Sequence, residues 1–258
     1  MFKRSDKKIP LLKLVFGAAI FSWEKRYDLA RSLWLPFLFG LVLSLTDSFQ
    51  FGDQSLSEAG SANGYSFNWL YFAMVAMFFV TVIASVRAYR VLLESGSIHS
   101  LPISWGQSET KFTLAMFAIA LVFLFVLALT SSLLMSILAV YENIGALAML
   151  NFLPPIYIAA RLILVFPEVS CRPDVSLFEA FKWSWSATRG HGLILMFLAV
   201  ILPLLIALGI NWFSMTSVPA SKFIGAVLVW LVLPFEVALI SLSYSSIKKW
   251  VKQTNDNF

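Results

Sequence analysis

The chain has 258 residues, 59% hydrophobic and 13% charged, with a mean hydropathy of +0.82; a water-soluble domain of this size could not bury so much apolar surface, so that class is excluded. The formal net charge is +5 and the pI about 9.4, but the bases are clustered along the chain in a way that argues against a nucleic-acid partner. The single Cys171 excludes an intrachain disulfide and a multi-thiolate metal site, and His99 and His191 have no companion ligands at metal spacing.

Residues 1–10 are basic and polar, and residues 11–23 turn apolar. Lys13 interrupts that short run, Glu24, Lys25 and Arg26 follow it, and no small-residue cleavage site appears, so a cleaved signal peptide is rejected. Leu12, Val15, Phe16, Ala19 and Trp23 recur at helical spacing and predict an amphipathic interfacial helix over residues 11–27. A re-entrant segment is the less favoured alternative. The first span is expected at residues 33–51, with Pro36 near its start, where proline is tolerated. A Gly- and Ser-rich polar loop carrying Asp53 and Glu58 follows. The second span, 68–86, opens on Trp69 and Tyr71 and closes on Arg87 and Arg90, a pairing suited to membrane interfaces.

Beyond a connector at 87–111, residues 112–166 are almost continuously apolar and too long for one crossing of ~30 Å of hydrocarbon. Tyr141, Glu142, Asn143 and Gly145 divide this run into spans at 112–140 and 145–166. Pro154-Pro155 in the fourth span and Pro203 in the fifth are candidates for helix breaks beside a cavity, although prolines are also common in inert spans. The next connector contains Ser176-Leu177-Phe178-Glu179, a capping box that starts a surface helix over 176–189. On that helix Leu177, Phe178, Phe181 and Trp185 share one side, and Glu179, Lys182, Ser186 and Arg189 the other. Trp183 lies off the apolar stripe, toward a neighbouring span. The fifth and sixth spans are expected at 192–210 and 223–247, before a polar tail at 248–258.

The fold class is therefore all-α: a polytopic transmembrane helical bundle of about six spans with interfacial amphipathic helices, forming one integral membrane domain over residues 1–258. With six spans, every Lys and Arg except Lys222 falls on one side, while Asp47, Asp53, Glu58 and Glu142 fall on the other. The positive-inside rule then makes both termini cytoplasmic. A weak repeat accompanies this pattern. Arg87 and Glu94, followed by Trp105, Ser108, Thr110 and Lys111, echo Arg161 and Glu168, followed by Trp183, Ser186, Thr188 and Arg189.

The segment 176–200, after a span ending in Arg161 and Pro167-Glu168, carries Ser184-Trp185-Ser186-Ala187-Thr188-Arg189-Gly190. It resembles the YciC-like family and the membrane domain joined to some glycerophosphodiester phosphodiesterases, most clearly over residues 155–210. The resemblance implies a six-span inner-membrane protein of unknown activity. The soluble hydrolase barrel has no counterpart in this chain, so hydrolysis is not implied.

Glu236 is the ionisable residue placed deep in a span, just after Pro234. Such a group is a candidate for a proton or cation relay, but a protonated or paired glutamate that locks helix packing is the preferred reading. Arg161 is its candidate partner; snorkelling to the headgroups accounts for Arg161 equally well. Phe181, Trp183, Trp185 and Arg189 are candidate contact residues on the surface helix. The basic N-terminal segment (Lys3, Arg4, Lys7, Lys8, Lys25, Arg26, Arg31) is a candidate for anionic lipid headgroups, with orientation during insertion the simpler explanation. No catalytic, cofactor or metal residues are assigned. The expected function is a non-enzymatic scaffold, accessory or lipid-interacting component of the inner membrane, with the lipid bilayer and a membrane-protein partner as its contacts. The alternative is a small transporter or channel using Glu236.

Overall fold

The computed structural model describes residues 11–50, 69–94, 105–138, 150–215 and 221–255. In chain order the helices are α1 (Leu11–Glu24), α2 (Arg26–Gln50), α3 (Trp69–Leu93), α4 (Gln107–Leu138), α5 (Leu153–Leu162), α6 (Val165–Cys171), α7 (Leu177–Ala187), α8 (Gly192–Met196), a π turn (Phe197–Ile201), α9 (Leu202–Ser214) and α10 (Ser221–Asn255). All described regular structure is helical. Helices satisfy their own backbone groups, as a chain in hydrocarbon requires. Side-chain hydroxyls follow the same rule: those of Thr130, Ser132, Ser170, Ser214 and Ser243 each donate to the carbonyl four residues back.

Five helices among the described residues are long and apolar enough to cross a membrane: Phe72–Leu93, Gln107–Leu134, Leu153–Cys171, Gly192–Ser214 and Leu231–Val251. At 22 residues, Phe72–Leu93 reaches ~33 Å. The expected first span, 33–51, falls on the later part of α2. Its side chains beyond residue 40, and residue 51 itself, lie outside the described residues, as do 68, 139–149 and the polar loop with Asp53 and Glu58.

Proline positions explain the interruptions. Pro167 has no N–H to give the Ile163 carbonyl, and Phe166 N–H takes that carbonyl at 3.3 Å, tightening the turn that separates α5 from α6. Pro203 follows the π turn, in which Leu202 N–H reaches the Phe197 carbonyl five residues back. The fourth-span run is interrupted just before Pro154 and Pro155: Leu150 is helical, Asn151 and Phe152 form a turn, and the two prolines occupy the first turn of α5, where the missing N–H groups have no helical partner. Pro36, expected near a span start, lies inside α2, which begins ten residues earlier at Arg26.

The core is concentrated at one end of the bundle. Val82, Val86 and Tyr89 of α3 pack with Leu164, Val165 and Val169 around the α5–α6 break, and with Leu239 and Ile247 of α10. Half of an apolar 18-residue stretch within Leu153–Cys171 is buried, against 11% of the corresponding stretches within Gln107–Leu134 and Gly192–Ser214. Those two peripheral helices expose Phe117, Leu121, Phe125, Leu205, Leu208 and Trp212 outward. In water such surface would drive association; in a bilayer it is the lipid-facing side.

Helix α1 lies against α10, burying Leu14 and Ala18. Leu12, Phe16, Ile20, Trp23 and Tyr27 point outward. Most of the apolar stripe read from periodicity is thus the exposed face, while the packed face uses the residues between. A Cβ added at Gly17 would stand 3.6 Å from Leu242 of α10.

Candidate functional site

Helix α6 carries Glu168, only 3% exposed, and its carboxylate ties α6 to α10. Arg172, one turn later, donates from Nη1 to Oε1 at 2.9 Å. The Tyr244 hydroxyl of α10 donates to Oε2. Lys248 Nζ stands 3.8 Å from the same oxygen and donates to the Tyr244 hydroxyl at 2.6 Å. A buried carboxylate is strongly unfavourable unless its lone pairs are filled, and here both oxygens are engaged. Trp183 meets the Tyr244 ring edge-on, with centroids 5.3 Å apart. The sequence reading that turned Trp183 toward a neighbouring span is met on α10.

Two more cations hold the end of α6 and the turn that follows. Arg90 donates from Nε to the Ser170 carbonyl at 2.8 Å and from Nη2 to Ser108 Oγ at 2.6 Å. Lys111 donates to the carbonyls of Pro173 and of Val175, the latter at 2.8 Å. Carbonyls left free where α6 ends thus meet cations from the last turn of α3 and the first turns of α4, which suits the helix dipole. Arg90, Lys111, Arg172 and Lys248 therefore gather around residues 168–175, and the half-buried Cys171 sits within the electrostatic reach of Arg90, Glu94, Glu168 and Lys248.

Helix α7 is held differently. Ser176 accepts from Glu179 N–H, and Glu179 accepts from Ser176 N–H, closing the capping box read from the sequence. Ala180, Ser184 and Thr188, spaced by four, are fully buried. They form the inward line, and α7 packs on α5, α6 and α10. Ser184 Oγ donates to the Arg161 carbonyl at 2.7 Å, Arg161 Nε to Thr188 Oγ1 at 3.3 Å, and the Arg161 guanidinium also donates to the Trp185 carbonyl. That guanidinium lies 3.7 Å from the Trp185 ring centroid, a cation–π contact. Gly190, at φ +89°, turns the chain in the left-handed region.

These contacts correct two expectations. The apolar stripe of α7 is divided: Leu177 and Phe181 pack inward, whereas Phe178 is 77% and Trp185 43% exposed. Arg189 is exposed, as are Glu179, Lys182 and Ser186. Arg161 is not the partner of Glu236; its bonds go to α7. Glu236 is half-buried in α10, makes no ion pair among the described residues, and lies within electrostatic reach of the Tyr89 phenol.

The weak repeat does not carry over into matching geometry. Trp105 precedes α4 while Trp183 lies inside α7, and Ser108 is held by Arg90. Lys3, Arg4, Lys7 and Lys8 of the basic N-terminal segment lie outside the described residues. Glu168, Tyr244, Lys248 and Arg90 were not singled out as site residues. A glutamate just after a proline at a span end, with tyrosine and lysine one turn apart near the end of another, was the available signal. Comparison with family models, with curated proteins and with solved structures finds no match to this chain.

Proposed function

We propose that this membrane protein is a non-enzymatic scaffold or accessory, lipid-interacting component of the inner membrane. Both termini are on the cytoplasmic side. The reading is supported above all by one observation: the charged groups at the compact end are used to fasten helices. Glu168 joins α6 to α10, Arg90 and Lys111 join α3 and α4 to the end of α6, and Arg161 fastens α7. Outward on α7 at that end are Phe178 and Trp185 with the cations Lys182 and Arg189, and Glu179 beside them. Under the positive-inside rule such an end belongs to the cytoplasmic leaflet. The resemblance of 155–210 to YciC-like proteins agrees with this assignment.

The test replaces Phe178, whose side chain is 77% exposed, with Ala in the full chain. A scaffold loses a stably co-purifying membrane partner while its unfolding in detergent is unchanged. Retention of every partner contradicts the reading.

A second reading, a small transporter, is favoured by Glu236 alone, half-buried at mid-helix without an ion pair among the described residues. It requires a pH-dependent flux in proteoliposomes that Glu236→Gln abolishes. The scaffold reading expects flux at the level of empty vesicles.

A further inference from the structure

We infer that Arg172 and Lys248 form a binding site for the phosphodiester headgroup of an anionic lipid. The inference rests on the membrane reading above but not on which face is cytoplasmic. Two cations converge on opposite oxygens of one buried carboxylate, so Glu168 can neutralise only one of them. The fourth member, Tyr244, is a neutral donor. Lys248 in particular is loosely compensated: it stands 3.8 Å from the carboxylate and spends a hydrogen bond on the phenol instead.

Donor capacity points the same way. Arg172 uses one guanidinium nitrogen on Glu168, and Lys248 uses one of its three N–H bonds on Tyr244. Their side chains are 50% and 48% exposed, so the unused donors face outward. The nearby acids Asp174 and Glu94 are exposed, and among the described residues neither pairs with Arg172 or Lys248.

The position suits a lipid rather than a soluble anion. Arg172 directly follows the Leu153–Cys171 span, and Lys248 is three residues from the end of Leu231–Val251. Both therefore stand at headgroup depth, where Trp183 against Tyr244 and Trp250 beside His191 supply aromatic neighbours. A phosphodiester brings one negative charge and several acceptor oxygens, which matches the uncompensated charge and the free donors.

The probe is spin-labelled phosphatidylglycerol, compared with spin-labelled phosphatidylcholine, on the full chain in phosphatidylcholine nanodiscs. The wild type is expected to select phosphatidylglycerol. Arg172→Gln and Lys248→Gln should each lower that selectivity about fivefold, the ratio corresponding to ~1 kcal/mol per surface cation. Lys248→Arg should keep it, and Lys249→Gln, an exposed cation at the same depth, should change it less than twofold. If Arg172→Gln does not fold, Lys248→Gln decides, because its half-exposed side chain can be lost with less disturbance. Equal loss from Lys249→Gln would reduce the effect to general surface charge and overturn the site, as would undiminished selectivity in Lys248→Gln. Displacement of the labelled phosphatidylglycerol by equimolar inorganic phosphate would also overturn it. Nanodiscs expose both leaflets, so failure here is separate from failure of the orientation or scaffold reading.

Discussion

Tyr244→Phe removes one hydroxyl from the compact end of the bundle and should lower stability by about 2 kcal/mol. The figure follows from what the hydroxyl contacts. Interhelical hydrogen bonds in membranes average ~0.6 kcal/mol, but a bond to an ionised acceptor is stronger, about 1.5–3 kcal/mol. Glu168 is 3% exposed, so when the phenol is gone water cannot easily replace it at Oε2, and Lys248 is left at 3.8 Å. Lys248→Met is the internal comparison. Its side chain is 48% exposed and its ion pair is long, which limits the loss to ~1 kcal/mol or less. Glu168→Ala should exceed both, because it strips the acceptor from the Tyr244 hydroxyl and releases Arg172 and Lys248 together. Reversible unfolding in mixed micelles, followed by helical circular dichroism, measures the series. The expected order is Glu168→Ala, then Tyr244→Phe, then Lys248→Met. A Tyr244→Phe loss under ~0.5 kcal/mol, or a larger loss in Lys248→Met, would refute the reasoning that burial sets these costs.

Arg161 and Glu236 should behave independently. Arg161→Gln loosens α7, Glu236→Gln is tolerated, and a double-mutant cycle gives a coupling below ~0.5 kcal/mol; a coupling well above that would restore the pair excluded by the contacts of Arg161. Ser176→Ala opens the capping box and should cost ~1 kcal/mol, seen as faster amide exchange at the start of α7 with little change at its C-terminal end. At Gly192 a Cβ would stand 2.8 Å from the Tyr157 ring, so Gly192→Leu should destabilise the protein by ~1–3 kcal/mol. Tyr157→Ala should partly restore the Gly192→Leu variant, and absence of any rescue would contradict that contact.

Much of the architecture could be read from residue order because membrane solvation imposes long apolar runs. The capping box at Ser176–Glu179 was equally legible, since its partners are three residues apart. Arg161 was recognised as unusual, but its partners lie more than twenty residues away, and hydropathy does not rank such distant options. Glu168 was harder still: Tyr244 is 76 residues away, and a glutamate at a span end reads as an exposed headgroup residue. Large side chains also misled where small ones set the contact. Ala180, Ser184 and Thr188 bring α7 down onto its neighbours, which carries Phe181 inward and leaves Phe178 out. In α1 the packed line through Leu14 and Ala18 is less conspicuous than the outward line through Phe16 and Trp23. Periodicity finds a stripe, but in a membrane both lipid and protein can cover it.

The central claim is that apolar helices stand in lipid with their cationic ends at the cytoplasmic face. Its most direct test is cysteine accessibility in intact cells, on a Cys171→Ala background, with an impermeant maleimide. Phe178→Cys is suitable because the side chain is 77% exposed, whereas position 180 is buried. Glu58→Cys, in the acidic loop outside the described residues, is expected on the opposite side. Position 58 should react from outside, and position 178 only after the membrane is permeabilised. Reaction of 178 from outside, or equal reaction of both positions, would contradict the account.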